Sequence, residues 1–250
     1  VFELKTIGNE QASTNSAWNQ LQTYKAEIPA LFRYNGVLVV SDGIEAVAGS
    51  LTAGFEHFAP WKTVDGAPES AAGLPALEVL ARGMTDRSRL LTLIRDHIVF
   101  SDERDGLVKR LAKHHQFWAV ERAVASTLAA IDGDGRAGVV WHTQGSGKSF
   151  EMHCYAAKIM RHPGMGNPTV VLLTDRNDLD DQLHDEVFVP SVARGFLPEA
   201  PVKAAKRQHL RELLKRQSGG IIFTTIQKFA PGADDDKMPL LSDRRNIVVV

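Results

Sequence analysis

Apolar positions in the second half of the chain fall into short continuous runs separated by amphipathic stretches, the order a parallel α/β sheet requires. Runs at 170–174, 221–224 and 246–250 read as strands. The last is almost wholly Ile and Val, which suits a strand buried on both faces. Residues 150–160, 179–187 and about 204–216 read as helices between or before them. A further run, Ala137-Gly138-Val139-Val140-Trp141, reads as a strand leading into a turn. The first half is patterned differently. Residues 1–5 alternate as a strand does, and a helix follows in which Trp18, Leu21 and Ile28 mark the buried stripe. Residues 37–41 form another strand, ending in Asp42-Gly43, and 76–100 are amphipathic. Gly, Pro, Ala and Ser concentrate at 63–74, which reads as a loop. The polar stretch 101–105 places a junction near 98–108, dividing the chain into parts 1–100 and 101–250.

Composition adds exclusions. The chain has 250 residues, 44% apolar and 24% charged, ordinary for a globular protein of one or two domains. No apolar run reaches the length of a membrane span, and the first residues lack the marks of a signal peptide. The lone Cys154 lies among apolar helix positions and reads as buried. These features predict a cytoplasmic protein without a membrane partner. A net charge of −1 confines any nucleic-acid surface to a local patch. No HExxH or CxxC spacing offers a zinc site.

The most informative chemistry is the octet His142-Thr143-Gln144-Gly145-Ser146-Gly147-Lys148-Ser149, set between the run at 137–141 and the helix at 150–160. Glycines Gly145 and Gly147 let the backbone curl so that successive N–H groups point at an anion. The following helix adds its positive end. Thr143 through Ser149 therefore form a candidate cradle for ATP, with Lys148 reaching the β- and γ-phosphates and the Ser149 hydroxyl ligating Mg²⁺. The pattern usually opens with glycine; here His142 holds that place.

In the strand at 1–5, Glu3 and Lys5 project to one side. The carboxylate could ligate a divalent cation while the lysine orients a nucleophile or offsets charge on a phosphate. A surface Glu–Lys pair is the commoner origin of such spacing. Gln20 and Tyr24, four apart on the following helix, share a face.

FELK, QLQTYK, IPALFRYNGVLVVSDG, the WK at 61–62, WHTQGSGKS, LLTDRNDLDDQL and GGIIFTTIQKF occur in this order and span essentially the whole chain. Together they resemble the restriction (R) subunit of type I restriction–modification enzymes. The resemblance implies a truncated PD-(D/E)xK nuclease-like α/β domain, followed by a truncated RecA-like P-loop domain with a parallel sheet. Glu3 and Lys5 would be the ExK pair, with Glu3 a metal ligand, and Gln20 and Tyr24 the QxxxY element of the nuclease. The family's further aspartate would lie before Val1 and its DEAH box after Val250, so the 250-residue chain alone is expected to be inactive.

On the motor side the resemblance puts Gln116 where a glutamine precedes the phosphate loop. Its amide could pair with adenine N6 and N7; a surface helix glutamine is the alternative. Thr174 and Arg176 close one strand, and Thr225, Gln227 and Lys228 another. There the resemblance places contacts to the DNA backbone, which position DNA without reading its sequence. Strand-end capping is the competing reading. Asp178, Asp180, Asp181 and Asp185 read as helix N-terminal charge, and the basic stretch 203–215 as a solvated helix face.

The expected function is ATP-dependent translocation of duplex DNA coupled to Mg²⁺-dependent cleavage, in defence against foreign DNA. The expected partners are methyltransferase and specificity subunits. A different superfamily-two DNA or RNA helicase is one alternative, and an ATP-binding switch that does not hydrolyse its nucleotide is another.

Overall fold

The computed structural model describes residues 1–6, 12–103, 106–175, 183–229 and 240–250. Contacts divide the chain into two compact units, Val1–Trp118 and Ala119–Val250. The expected junction at 98–108 falls on a β-hairpin of the first unit, and the division comes within a later helix.

In the first unit, β1 (Phe2–Leu4) pairs in parallel with β2 (Leu38–Ser41), which pairs antiparallel with β3 (Ala46–Gly49). Helix α1 (Thr14–Glu27) starts at a reciprocal cap: Ser13 Oγ accepts from Ser16 N–H and Ser16 Oγ from Ser13 N–H, each at 3.0 Å. Its buried face is Ala17 and Leu21, which pack with Phe32, Leu38, Val40 and Phe58. Ile28 does not continue that stripe. It stands past the helix end with φ −131°, before Pro29, and is 51% exposed. The turn from β2 to β3 is held by Asp42, whose Oδ1 accepts from Ile44 and Glu45 N–H. Those bonds, the one from Glu45 foremost, keep its carboxyl below the usual range. The amphipathic stretch resolves into α2 (Ala76–Met84), α3 (Arg87–Asp96) and the first strand of the hairpin β4 (Ile98–Glu103)–β5 (Gly106–Leu111). Helix α4 (His114–Asp132) follows.

The second unit carries a four-stranded parallel sheet in the order β7-β8-β6-β9, with β6 Thr169–Thr174, β7 Val202–Lys203, β8 Ile221–Thr225 and β9 Ile247–Val249. The three strands expected at 170–174, 221–224 and 246–250 are all present, but β9 is not buried on both faces: it stands at the edge of the sheet order, with Val249 58% exposed. Helix α5 (Lys148–Arg161) packs on β6, and α6 (Val189–Ala193) follows a π-turn at Leu183–Phe188. Residues 179–182 of the expected helix lie outside the described residues. Leu210 and Leu214 of α7 (Arg207–Leu214) join Val171, Ala204 and Ile222 in the core. Cys154 is fully buried, as expected. No helix among the described residues is long and apolar enough to cross a membrane.

The run at 137–141 departs from expectation. It forms no strand, and Val139 and Trp141 are 90% and 89% exposed. Apolar composition permits a buried strand, but a strand exists only by ladder bonds to a neighbour, and residues 136–143 have none here.

His153 of α5 is fully buried between Phe188 and Phe196, with ring centroids 4.9 and 4.8 Å away. Burial first, and the Arg161 charge second, lower its pKa to about 3. The folded protein therefore holds it neutral, while the unfolded chain protonates it near the ordinary histidine pKa of about 6.5. Stability from this site is complete above that value and falls as pH drops towards 3. The loss reaches about 2 kcal/mol at pH 5. His153→Phe should flatten that dependence, as read from urea unfolding at pH 7 and pH 5. An unchanged pH slope would show that His153 does not cause it.

Candidate functional site

The phosphate-loop candidate is built by backbone conformation. Gly145 and Gly147 adopt φ of 79° and 89°, the left-handed region that side-chain-bearing residues disfavour. Gly147 is the N-cap of α5, so Lys148 and Ser149 open the helix at its positive end. A Cβ at Gly145 would meet nothing within 4 Å, so the space beside this glycine is open. Ser146 N–H closes the turn on Thr143 O at 3.3 Å, and Phe150 and Glu151 N–H bond to Gly147 O. Thr143, Gln144, Lys148 and Ser149 are exposed. Lys148 Nζ donates to the carbonyls of His142 and Thr143, both at 3.0 Å. His142 Nδ1 meets Glu151 Oε1 at 2.8 Å, a pairing across the loop that no sequence period signals.

Gln116 is 7% exposed, and its Oε1 accepts from Lys113 N–H at 2.9 Å at the start of α4. A glutamine reaching back in this way caps a helix, so its carbonyl oxygen already has a structural use. Gln116 lies in the first unit and the glycine-rich loop in the second.

The ends of β6 and β8 converge. Thr174 stands opposite Thr225 in the parallel register, and Gln227 Nε2 donates to Asp175 O at 3.4 Å. Thr174 and Thr225 are buried, at 6% and 3% exposure, at the ends of the two inner strands of the sheet; Gln227 is exposed. Lys228 Nζ donates to Ala204 O at 2.6 Å. Arg176, Asp178, Asp180 and Asp181 lie outside the described residues. Asp185 pairs with His184 next to it.

In the first unit, strand alternation brings Glu3 and Lys5 together as expected, with Lys5 Nζ 3.0 Å from Glu3 Oε1. Both are largely shielded, with side chains 17% and 26% exposed. Glu3 stands opposite Val40, and Lys5 N–H extends the ladder to Ser41 O. Helix α1 packs on β1 and β2; Tyr24 lies against the core and Gln20 is half-buried. An apolar groove of about 400 Å³ beside β1 takes Phe2, Leu31, Tyr34 and Ile94 in its lining, but none of Glu3, Lys5, Gln20 or Tyr24.

A family model described as SWI2/SNF2 ATPase matches residues 115–250, and one described as the type I restriction enzyme R protein N terminus matches 1–57. The type I restriction enzyme HindI endonuclease subunit of Haemophilus influenzae is 45% identical across the whole chain and 24% of its own length. The chain belongs to the SWI2/SNF2 ATPase family and is part of a type I restriction R subunit. A putative type I restriction enzyme endonuclease subunit of Methanocaldococcus jannaschii (MjaIXP) is 33% identical over the whole chain and 25% of its length. One from Staphylococcus aureus (SauCOLORF180P) is 27% identical over 99% of this chain and 25% of its length. This R-subunit chain thus spans about a quarter of the length of these curated relatives.

Proposed function

We propose that this chain contributes two sites to an enzyme that moves duplex DNA with ATP and cleaves it with Mg²⁺, in concert with methyltransferase and specificity subunits. The observation that carries the reading is the loop at 142–149. Two left-handed glycines, open space beside Gly145 and the start of α5 would make a cradle for a polyphosphate. ATP fits these residues. Thr143, Gln144, Gly145 and Gly147 would supply backbone N–H groups, Ser146 would hold the turn through its N–H bond to Thr143 O, and Lys148 would supply a mobile charge and Ser149 a hydroxyl for Mg²⁺. Lys148 would exchange its two carbonyl acceptors for phosphate oxygens. Gln116 would add an adenine contact through its amide nitrogen.

The second site is Glu3 with Lys5. Glu3 supplies one carboxylate oxygen to a divalent cation, and the remaining donors would come from elsewhere in the protein, from water and from the substrate phosphate. The cation, when bound, polarises the phosphate and activates water. Lys5, at 3.0 Å from Glu3, would fix that carboxylate and offset charge at the scissile phosphate. Gln20 and Tyr24 would support the site from α1. Arg176, Gln227 and Lys228 would contact the DNA backbone, and Thr174 and Thr225, buried at the ends of β6 and β8, would support the sheet there. The first unit, Val1–Trp118, would carry the nuclease part and the second, Ala119–Val250, the motor part, in the cytoplasm.

The test is ATP turnover by the full-length protein with and without duplex DNA, and with RNA. Stimulation by duplex DNA is expected. Stimulation by RNA alone would support a helicase of another class, and binding without turnover a nucleotide switch.

A further inference from the structure

The side chains of His142 and Glu151, nine positions apart, meet across the phosphate loop at 2.8 Å. Glu151 lies in the first turn of α5 and is 5% exposed, deep for a carboxylate. Such a group is tolerated only where a partner satisfies it. Its partner here is the residue standing where the phosphate-loop pattern otherwise has glycine. His142 serves the loop in a second way, because its carbonyl oxygen is one of the two that hold Lys148 Nζ. One side-chain pair therefore ties the entry of the loop to the first turn of the helix that follows it. The same entry residue positions the lysine.

We infer that Glu151 is a positioning residue for ATP. By clasping His142 it holds the loop entry, and with it the Lys148 acceptors, in the arrangement that receives the phosphates. This rests on the nucleotide-site reading above. The clasp touches no phosphate; it acts by removing conformations that ATP would otherwise have to select against. Its energetic scale is that of one hydrogen bond to a charged group. Glutamine keeps the accepting oxygen and the side-chain length, so it preserves the clasp; alanine removes it.

The experiment measures the Kd of Mg·ATP by titration calorimetry on the full-length protein. The variants are Glu151→Ala, Glu151→Gln, His142→Ala and the double alanine. Glu151→Ala should raise Kd about tenfold, and Glu151→Gln should restore most of it. His142→Ala should add little in the Glu151→Ala background, because the two side chains act as one unit. An unchanged Kd in Glu151→Ala overturns the inference. So does equal weakening by alanine and glutamine, which would point to charge rather than to a clasp. Independent, additive losses overturn it as well. If Glu151→Ala does not fold by circular dichroism, comparing Glu151→Gln with His142→Ala decides the same point: only the latter should weaken binding. A parent protein that binds no Mg·ATP overturns the nucleotide-site reading itself, and the inference with it.

Discussion

Replacing Lys148 with alanine in the full-length protein is expected to weaken ATP binding by about 1.5–3 kcal/mol, roughly ten- to a hundredfold, and to abolish ATP-driven translocation. The side chain is exposed, and its partners are the two backbone carbonyls of His142 and Thr143. It supports no core packing, and alanine suits the first turn of α5. The fold should therefore survive, and the loss should fall on the ligand. Without the ammonium, a triphosphate would be held by backbone dipoles and helix end alone. These bind the anion but place no mobile charge on its terminal phosphates. Calorimetric titration with Mg·ATP checks the first part, and a triplex-displacement assay of translocation the second. An affinity equal to that of the parent would remove Lys148 from the site.

Glu3→Ala or Lys5→Ala should eliminate DNA cleavage and leave DNA-stimulated ATP turnover near the parental level. The two side chains form one ion pair on β1, in the first unit, and the loop at 142–149 belongs to the second. Loss of Glu3 removes an oxygen donor and negative charge that a divalent cation needs. Loss of Lys5 leaves that carboxylate without the ammonium that orients it. Gln20→Ala and Tyr24→Phe should reduce cleavage less. Tyr24→Phe keeps the ring against the core and deletes only a hydroxyl. Cleavage and ATP turnover measured side by side on one preparation separate the sites. Loss of both activities in a Glu3→Ala protein with a normal circular dichroism spectrum would contradict the two-site reading.

Local rules made much of this protein legible in its sequence. Strands β6 and β8 announce themselves as near-continuous apolar runs, since a strand buried on both faces has no polar phase to keep. Glycines Gly145 and Gly147 mark a turn that few other residues could make, followed by a helix start, and both conformations are present. Alternation along β1 sufficed to pair Glu3 with Lys5, because residues two apart on a strand share a face. The order of these short motifs also carried the family.

Tertiary structure decided what depends on a neighbour rather than on spacing. The run at 137–141 has the composition of a strand and no ladder, because pairing is a property of two segments and not of one. Ile28 keeps the apolar phase of α1 but lies beyond its last turn, where Pro29 ends the periodicity that would have buried it. Thr174 and Thr225 read as polar strand ends; the parallel register sets them opposite each other and buries both. Gln116 carries an amide suited to a base, yet its oxygen accepts from the backbone N–H of Lys113, three residues earlier, and closes the helix cap. His142 and Glu151 stand at no helical or strand interval. The curl of the loop alone carries one side chain to the other, so their contact exists only in the folded chain.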